Sequence, residues 1–294
     1  MKNRVLVIVV TYNAEKWVDY CFQGLLNSNI GIDIICIDNN SSDKTTDLMR
    51  EKFPEVALIE SPDNQGFGKA NNIGLGHCLK NGYDYAFLLN QDASVESDTI
   101  EKLVSIQQKN PAFGILSPLQ RSKDNDSLEH IFSHWLGENN TPGLISDFVI
   151  GKSVKPVYET KFVNAAIWLI SKECLLSVRA FDSDFPHYGE DNEFIHRAAE
   201  SGFKTGICPS VHANHARPKS LGGRIEGGFS KRQNRSYVDL LVQFKTSPLS
   251  PKKRCFYFSR RMLVDLFRYT VLFDYDEIKI AIKSYYKLFF KRAS

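Results

Sequence analysis

Apolar, β-branched runs alternate with segments of helical period from the start of the chain. The runs at Arg4 to Val10, Asp33 to Ile37, near Val56 to Ile59, Tyr85 to Leu89 and Gly114 to Ser117 are short and bounded by polar residues, the pattern of strands covered on both faces. Between them, apolar spacing predicts helices after Asn13, after Ser42, from about Gly68 to Leu79 and near Val95 to Lys109. This alternation predicts an α/β fold, a Rossmann-like, mostly parallel sheet with helices on both faces. Ligands of such sheets bind beyond the carboxyl ends of the strands, which places Thr11, Tyr12, Asn13, Asp38, Asn90 and Asp92 along one edge.

From Gln120 to Thr160 the period fades into an irregular insertion rich in polar residues, Gly and Pro. Regularity returns at Lys161 to Ile170, with a helix after Ser171 and another from about Asp191 to Ser201, ended by Gly202. After His215 the composition changes, and Gly222, Gly223, Gly227 and Gly228 predict a mobile loop. Beyond it, Phe258, Met262, Leu266, Tyr269 and Phe273 recur at helical spacing beside Arg260, Arg261 and Arg268. Lys279, Lys283, Lys287 and Lys291 then form a basic stripe next to Ile278, Ile282, Tyr285 and Phe289.

Charge sharpens this division. The net charge of +3 hides 19 basic against 28 acidic residues in 1–216, net −9, and 18 against 6 in 217–294, net +12. The chain divides at this point into a body, 1–216, and a basic, aromatic, mainly helical extension, 217–294. With 43% apolar and 24% charged residues it is a folded protein rather than a disordered or fibrous one. Six scattered cysteines, with no zinc-ligand or C-x-x-C spacing, read as reduced thiols of a cytosolic protein. The opening apolar run, Val5 to Val10, reads as a buried strand rather than a signal peptide. No apolar stretch approaches the roughly 18 to 20 residues that span a bilayer, so membrane contact would be peripheral.

The strand ending at Leu89 runs into Asn90-Gln91-Asp92, a carboxylate at the mouth of the sheet. A carboxylate there suits Mg2+ or Mn2+, which keep open positions for phosphate oxygens; helix capping is the structural alternative. Two further segments stand out, Asp63 to Gly74 (DNQGFGKANNIG) and His187 to Phe194 (HYGEDNEF). Gly66 and Gly68 lack the third glycine of a dinucleotide fingerprint, and no G-x-x-x-x-G-K-[ST] occurs, which disfavours nicotinamide and ATP enzymes.

Taken in order, T-Y-N, I-D-N-N-S-S-D, N-Q-G-F-G-K-A-N-N-I-G, N-Q-D, G-E-D-N-E-F-I-H-R-A and P-S-V-H-A-N-H resemble the successive motifs of family-two glycosyltransferases, and within them the rhamnosyltransferase-like branch. The resemblance runs from about Val5 to His215. It implies the GT-A fold, makes 1–216 the catalytic domain, and implies an inverting transfer from a nucleoside diphosphate sugar to a hydroxyl acceptor. It also implies that Thr11, Tyr12 and Asn13 line the nucleoside pocket, that Asp38 hydrogen-bonds base or ribose, and that Asn64, Gly68, Lys69 and Asn72 flank the donor. Gly74 fits helix packing equally well. Asn90, Gln91 and Asp92 occupy the place of the metal-holding D-x-D motif; Asn replaces the first Asp, which leaves Asp92 as the direct ligand. His215 completes the metal site, with His212 as competitor, and the pair suits Mn2+ slightly better than Mg2+. Asp191 is the favoured base toward the acceptor hydroxyl and Glu190 the alternative; one of the two can cap the helix while the other reacts. Trp168 and Asn164 are acceptor candidates, though a tryptophan in an apolar strand equally fits a core position.

The donor is dTDP-rhamnose by preference, with UDP-linked galactofuranose, N-acetylglucosamine or another hexose behind it. A glycan or polyprenyl-diphosphate-linked acceptor is expected. Sugar nucleotidyltransfer and non-catalytic nucleotide-sugar binding are the other classes. Thr11 to Glu15 holds neither the Gly nor the Lys of a triphosphate loop, and the paired acids argue against a non-catalytic role. The amphipathic extension suits an anionic leaflet, at about 1 kcal/mol per basic residue near the surface; packing on the body or on a second subunit, as in a homodimer, is the alternative. The acidic body and the lack of a nucleic-acid motif exclude a nucleic-acid partner. The expected location is cytoplasmic, peripheral at the inner face of the plasma membrane.

Overall fold

The computed structural model describes residues 3–185, 188–217 and 229–290. The glycines at 222, 223, 227 and 228, His187 of the acidic motif and Lys291 of the basic stripe lie outside the described residues. The described chain forms two compact units, one of 3–181 with 194–217, the other of 182–193 with 229–290.

The first unit is built on nine strands: β1 (Val5–Thr11), β2 (Ile32–Asp38), β3 (Ala57–Glu60), β4 (Tyr85–Asn90), β5 (Ala93–Val95), β6 (Phe113–Arg121), β7 (Tyr158–Glu159), β8 (Ile167–Ser171) and β9 (Lys204–His215). They form one sheet of order β3-β2-β1-β4-β8-β6-β9-β5, with β7 paired to β9. β1, β2, β3, β4, β6 and β9 run one way and β5, β7 and β8 the other, so the sheet is mostly parallel, as the alternation requires. The helices of this unit are α1 (Val18–Leu26), α2 (Thr45–Lys52), α3 (Phe67–Lys80), α4 (Thr99–Lys109), α5 (His130–Ser133), α6 (Leu144–Val149) and α7 (Lys172–Val178). α8 (Glu190–Glu200) begins in the second unit and continues into the first.

Alternate residues of β1 point to opposite faces, and both faces are covered. Val5, Val7 and Val9 pack into one core with Cys21, Phe22 and Leu25 of α1, while Leu6 and Ile8 join the other with Ala70, Leu75 and Cys78 of α3. Gly74 brings α3 close to the sheet. A Cβ there would meet Ile8 Cγ2 at 2.6 Å, which settles this glycine as a packing residue.

Three elements depart from the periodicity. The helix expected near Val95 starts at Thr99, because Ala93 to Val95 pair antiparallel with Ala213 to His215 as β5. β9 escapes a reading by alternation because Gly206 and Pro209 interrupt it and its register against β6 shifts between Pro118 and Leu119. The insertion contains α5 and α6 and a 3-10 turn, His134–Leu136; both carboxylate oxygens of Glu129 accept from backbone N–H groups that open α5, Ile131 at 3.0 Å and Phe132 at 2.7 Å.

The second unit holds α9 (Phe229–Lys245), α10 (Pro251–Val271) and α11 (Tyr275–Phe290), with Leu240, Phe258, Ala281 and Tyr285 buried in their small core. α9 carries no expectation from the sequence, whereas α10 and α11 fall where the aromatic and lysine spacing put helices. Among the described residues, no helix is long and apolar enough to cross a membrane.

Candidate functional site

The parallel strands β1, β2 and β4 end at Thr11, Asp38 and Asn90, and the polar residues that follow tie these ends together. Asp38, only 2% exposed, is the hub. Its Oδ1 accepts from Thr11 Oγ1 at 2.9 Å and Ser41 Oγ at 2.6 Å, and its Oδ2 accepts from Ser41 N at 2.9 Å. Thr11 is buried as well, so it faces the edge with backbone rather than hydroxyl. Asn13 takes a positive φ of 49°, tolerated by asparagine, and its Oδ1 accepts from Ser42 N at 2.9 Å.

Gln91 locks the backbone of Tyr12: its Oε1 accepts from Tyr12 N at 2.7 Å and its Nε2 donates to Tyr12 O at 3.2 Å. The ring of Tyr12 is left 47% exposed on a fixed main chain. Asn39, buried after β2, donates from Nδ2 to Asn64 Oδ1 at 2.8 Å and accepts from Gln65 N at 2.9 Å. Asn64 Oδ1 also accepts from Gly66 N, which fixes the turn into α3, where Gly66 has φ 81°. Gly68 is buried and Lys69 half-buried in the first turn of that helix.

One assignment made from sequence changes, and another residue proves to have a structural partner. Asn72 directs both ends of its amide at Phe181, donating to its O at 2.9 Å and accepting from its N at 2.8 Å, so this side chain anchors the chain after α7. Trp168 is fully buried, 0% exposed, among Phe181 and Phe194, with ring centroids 6.3 Å and 5.9 Å away. A ring sealed in the core cannot stack on an acceptor. Its place on β8, paired with Leu88 of β4, is the reason. Asn164 is half-buried and accepts from Gln120 Nε2 at 3.2 Å.

The strand pair β5–β9 joins the ends of two distant motifs. Ala93 lies opposite His215, and Ala216 N donates to Asp92 O at 2.7 Å, so Asp92 and His215 meet. His215 Nε2 stands 3.3 Å from Asp92 Oδ1. His215 is 1% exposed, its Nδ1 makes no hydrogen bond, and its Nε2 has no contact of good hydrogen-bond geometry. Alternation on β9 turns His212 to the opposite face, where Arg121 and Glu96 surround it and burial, followed by Arg121, lowers its pKa. Burial opposes ionisation of Asp92, but His215 and then Arg217 outweigh it and hold the carboxyl below its usual range. Arg217 had no sequence signal, since it follows the last motif.

An imidazole and an ionised carboxylate fit a divalent cation. Neighbouring ligands of an octahedral ion bound at about 2.1 Å stand about 3.0 Å apart, close to the observed spacing, and a buried ring nitrogen with no well-directed hydrogen bond is one a metal would satisfy. Among the described residues no third His, Cys, Asp or Glu joins them.

Glu190 and Asp191 open α8 within the second unit. Glu190 is 5% exposed and its Oε2 lacks a hydrogen bond; burial, then the charge of Asp191, pushes its carboxyl up to about 7. Asp191 is half-buried and its Oδ1 accepts from Asn192 N at 2.8 Å.

Known proteins share this framework. The chain is 24% identical over 217 residues to the dTDP-rhamnosyl transferase RfbF of Shigella flexneri, covering 74% of this chain and 70% of the relative. It is 21% identical over 263 residues to the N-acetylglucosaminyl-diphospho-decaprenol L-rhamnosyltransferase of Mycobacterium tuberculosis, covering 82% and 85%. Its fold matches the mannosyltransferase PcManGT from Pyrobaculum calidifontis, solved in complex with GDP-Man and Mn2+, with a TM-score of 0.60 at 17% identity over 97% of this chain and 74% of that one. The mixed sheet and this likeness are those of a GT-A fold. The model of the family described as glycosyl transferase family 2 matches residues 6–161, just over half of the chain, and this protein, a glycosyltransferase, belongs to that family.

Proposed function

We propose that this glycosyltransferase is an inverting, metal-assisted enzyme that moves rhamnose from dTDP-rhamnose to a hydroxyl of a glycan or polyprenyl-diphosphate-linked acceptor in bacterial surface polysaccharide synthesis. The observation that carries it is the meeting of Asp92 with the buried His215 at the edge where the parallel strands end. The names of two relatives support rhamnose; one includes the dTDP donor and the other a diphospho-decaprenol acceptor.

On this reading Tyr12, held by Gln91, offers its exposed ring to the nucleobase, and the loop organised by Asp38 and Asn39 frames the nucleoside. Asn64, Gly68 and Lys69 lie toward the donor at the start of α3. Asp92 and His215 would hold Mn2+ or Mg2+, which when bound neutralises charge developing on the departing diphosphate. Asp191 takes the proton of the acceptor hydroxyl as its oxygen bonds to the anomeric carbon; the bond from that carbon to the diphosphate oxygen breaks, and its electron pair leaves with the nucleoside diphosphate. Half-buried Asp191 is more open to an acceptor than Glu190, which is 5% exposed. The exposed apolar residues of α10, among them Phe256, Leu263 and Phe267, stand near Lys253, Arg260 and Arg268 and would rest on an anionic leaflet at the cytoplasmic face of the membrane.

Thermal denaturation with dTDP, UDP, GDP and ATP, each with and without Mn2+, tests the reading. A ligand at about 100 times its Kd adds roughly 2.7 kcal/mol, enough to raise the Tm by several degrees. A Mn2+-dependent rise with dTDP is the expected result; a rise with UDP alone moves the donor to a UDP-sugar, and no rise with any diphosphate overturns the donor assignment.

A further inference from the structure

The segment that carries the acidic pair is fastened at two points to one face of α9, both within the second unit. At its start, Lys245 Nζ bridges Asp182 Oδ2 at 2.9 Å and Asp184 Oδ2. Asp182 shapes the turn that presents both acids, its Oδ1 accepting from Asp184 N at 2.9 Å. At its end, Gly189 is pressed onto the same helix: a Cβ there would stand 2.8 Å from Val238 Cγ1 and 2.8 Å from Val242 Cγ2. Val238, Val242 and Lys245 are spaced four and three apart, so they form one ridge of α9.

The backbone adds a second constraint. Tyr188 and Gly189 both take positive φ, 67° and 86°, immediately before Glu190. Gly189 O accepts the bond from Glu193 N that opens α8, so the direction in which Glu190 and Asp191 leave the turn is set where the turn touches α9. Only glycine satisfies both the conformation and the contact. The three charges of the bridge are partly buried, where a lysine between two carboxylates is a directional tether rather than a solvated surface pair.

We propose that Lys245 and Gly189 are positioning residues, through which α9 holds the Glu190–Asp191 turn in the geometry its proton-accepting role requires. This rests on the proposal above that the base belongs to that pair. It gives the C-terminal helices a part in the chemistry through the turn they hold, since displacing a reacting group by about 1 Å can cost on the order of a hundredfold in rate.

The test uses the full chain with the donor and acceptor that support wild-type turnover, dTDP-rhamnose and polyprenyl-diphosphate-linked N-acetylglucosamine first. Lys245→Ala is expected to lower kcat about tenfold or more and to leave the Kd for the nucleoside diphosphate within about twofold. Lys245→Arg, which keeps the bridge, is expected to recover most of the rate. Hydrogen exchange of residues 188–193 is expected to speed up in Lys245→Ala and not in Lys245→Arg. Should Lys245→Ala fail to fold, Asp182→Asn with Asp184→Asn breaks the same bridge from the other side. Wild-type kcat in the alanine variant, or equal losses with alanine and arginine, overturns the proposal. Wild-type rates in both Asp191→Asn and Glu190→Gln would overturn the base assignment instead, and the exchange data would then decide alone whether α9 holds the turn.

Discussion

The two units bury their chains in different ways. In the first, Val7, Ile8 and Val9 of β1 are each 0% exposed, because a parallel strand has helices on both faces. In the second, α10 leaves Phe256 and Phe267 each 72% exposed, and the helices share a core of only a few buried side chains. Charge also divides the chain at residue 216, net −9 over 1–216 against +12 over 217–294, although the acidic stretch 182–193 belongs to the second unit. The first region satisfies its own apolar surface and gathers polar groups where the strands end. The second displays apolar and basic surface together.

Five substitutions would break or sharpen this contrast. The largest effect belongs to Asp92→Ala: transfer should fall by about a thousandfold or more, as expected when several kcal/mol of charge stabilisation are lost, with the circular dichroism spectrum unchanged. Full activity in this variant would remove the cation site. Next, Trp168→Ala should cost about 3 to 5 kcal/mol in urea unfolding, because it opens a cavity in the core. Tyr12→Ala, at an exposed ring, should change stability by less than about 0.5 kcal/mol yet weaken nucleotide binding severalfold. Equal stabilities in the two variants would contradict the burial difference.

A smaller effect concerns Glu190, whose folded pKa of about 7 lies above its usual 4.5. Between those values the folded state holds more protons than the unfolded one, so this group's contribution is fully present below pH 4.5 and is lost as pH rises through 7. Glu190→Gln should therefore match wild type near pH 4 and exceed it by about 3 kcal/mol at pH 8, read as a higher Tm. A gain at both pH values would separate the effect from ionisation. The smallest change in stability, under about 0.5 kcal/mol, is expected for Phe267→Ser. Its loss should show in sedimentation with anionic vesicles, severalfold below wild type, and unchanged vesicle binding would argue that this face meets protein.

Much of the framework was legible because burial leaves a local signature. Alternating runs located β1, β2 and β4 to within a residue or two, and Gly202, at φ 87°, ends α8 where the sequence placed its stop. β5 was hidden, since three residues carry too little period to be told from the start of a helix. Trp168 and Asn72 had the residue types of binding groups, and nothing in their neighbours along the chain revealed that one is sealed beside Phe194 and the other holds Phe181. Within the candidate site, Asp92 was visible as a carboxylate following a strand; Arg217, outside every motif, was not.

The sequence by itself determined the α/β class, the family, the change from acidic body to basic helices and the positions of the polar loops, because these depend on composition, period and short motifs. Only the tertiary structure decided which of these loops share a site. The choice of His215 over His212 follows from the pairing of β5 with β9, and the fastening of the Glu190 turn follows from one ridge of α9. Period reports which face of an element is buried. It carries no information on which distant element covers that face, because pairing between strands and the docking of turns on helices are set by register and shape across the fold.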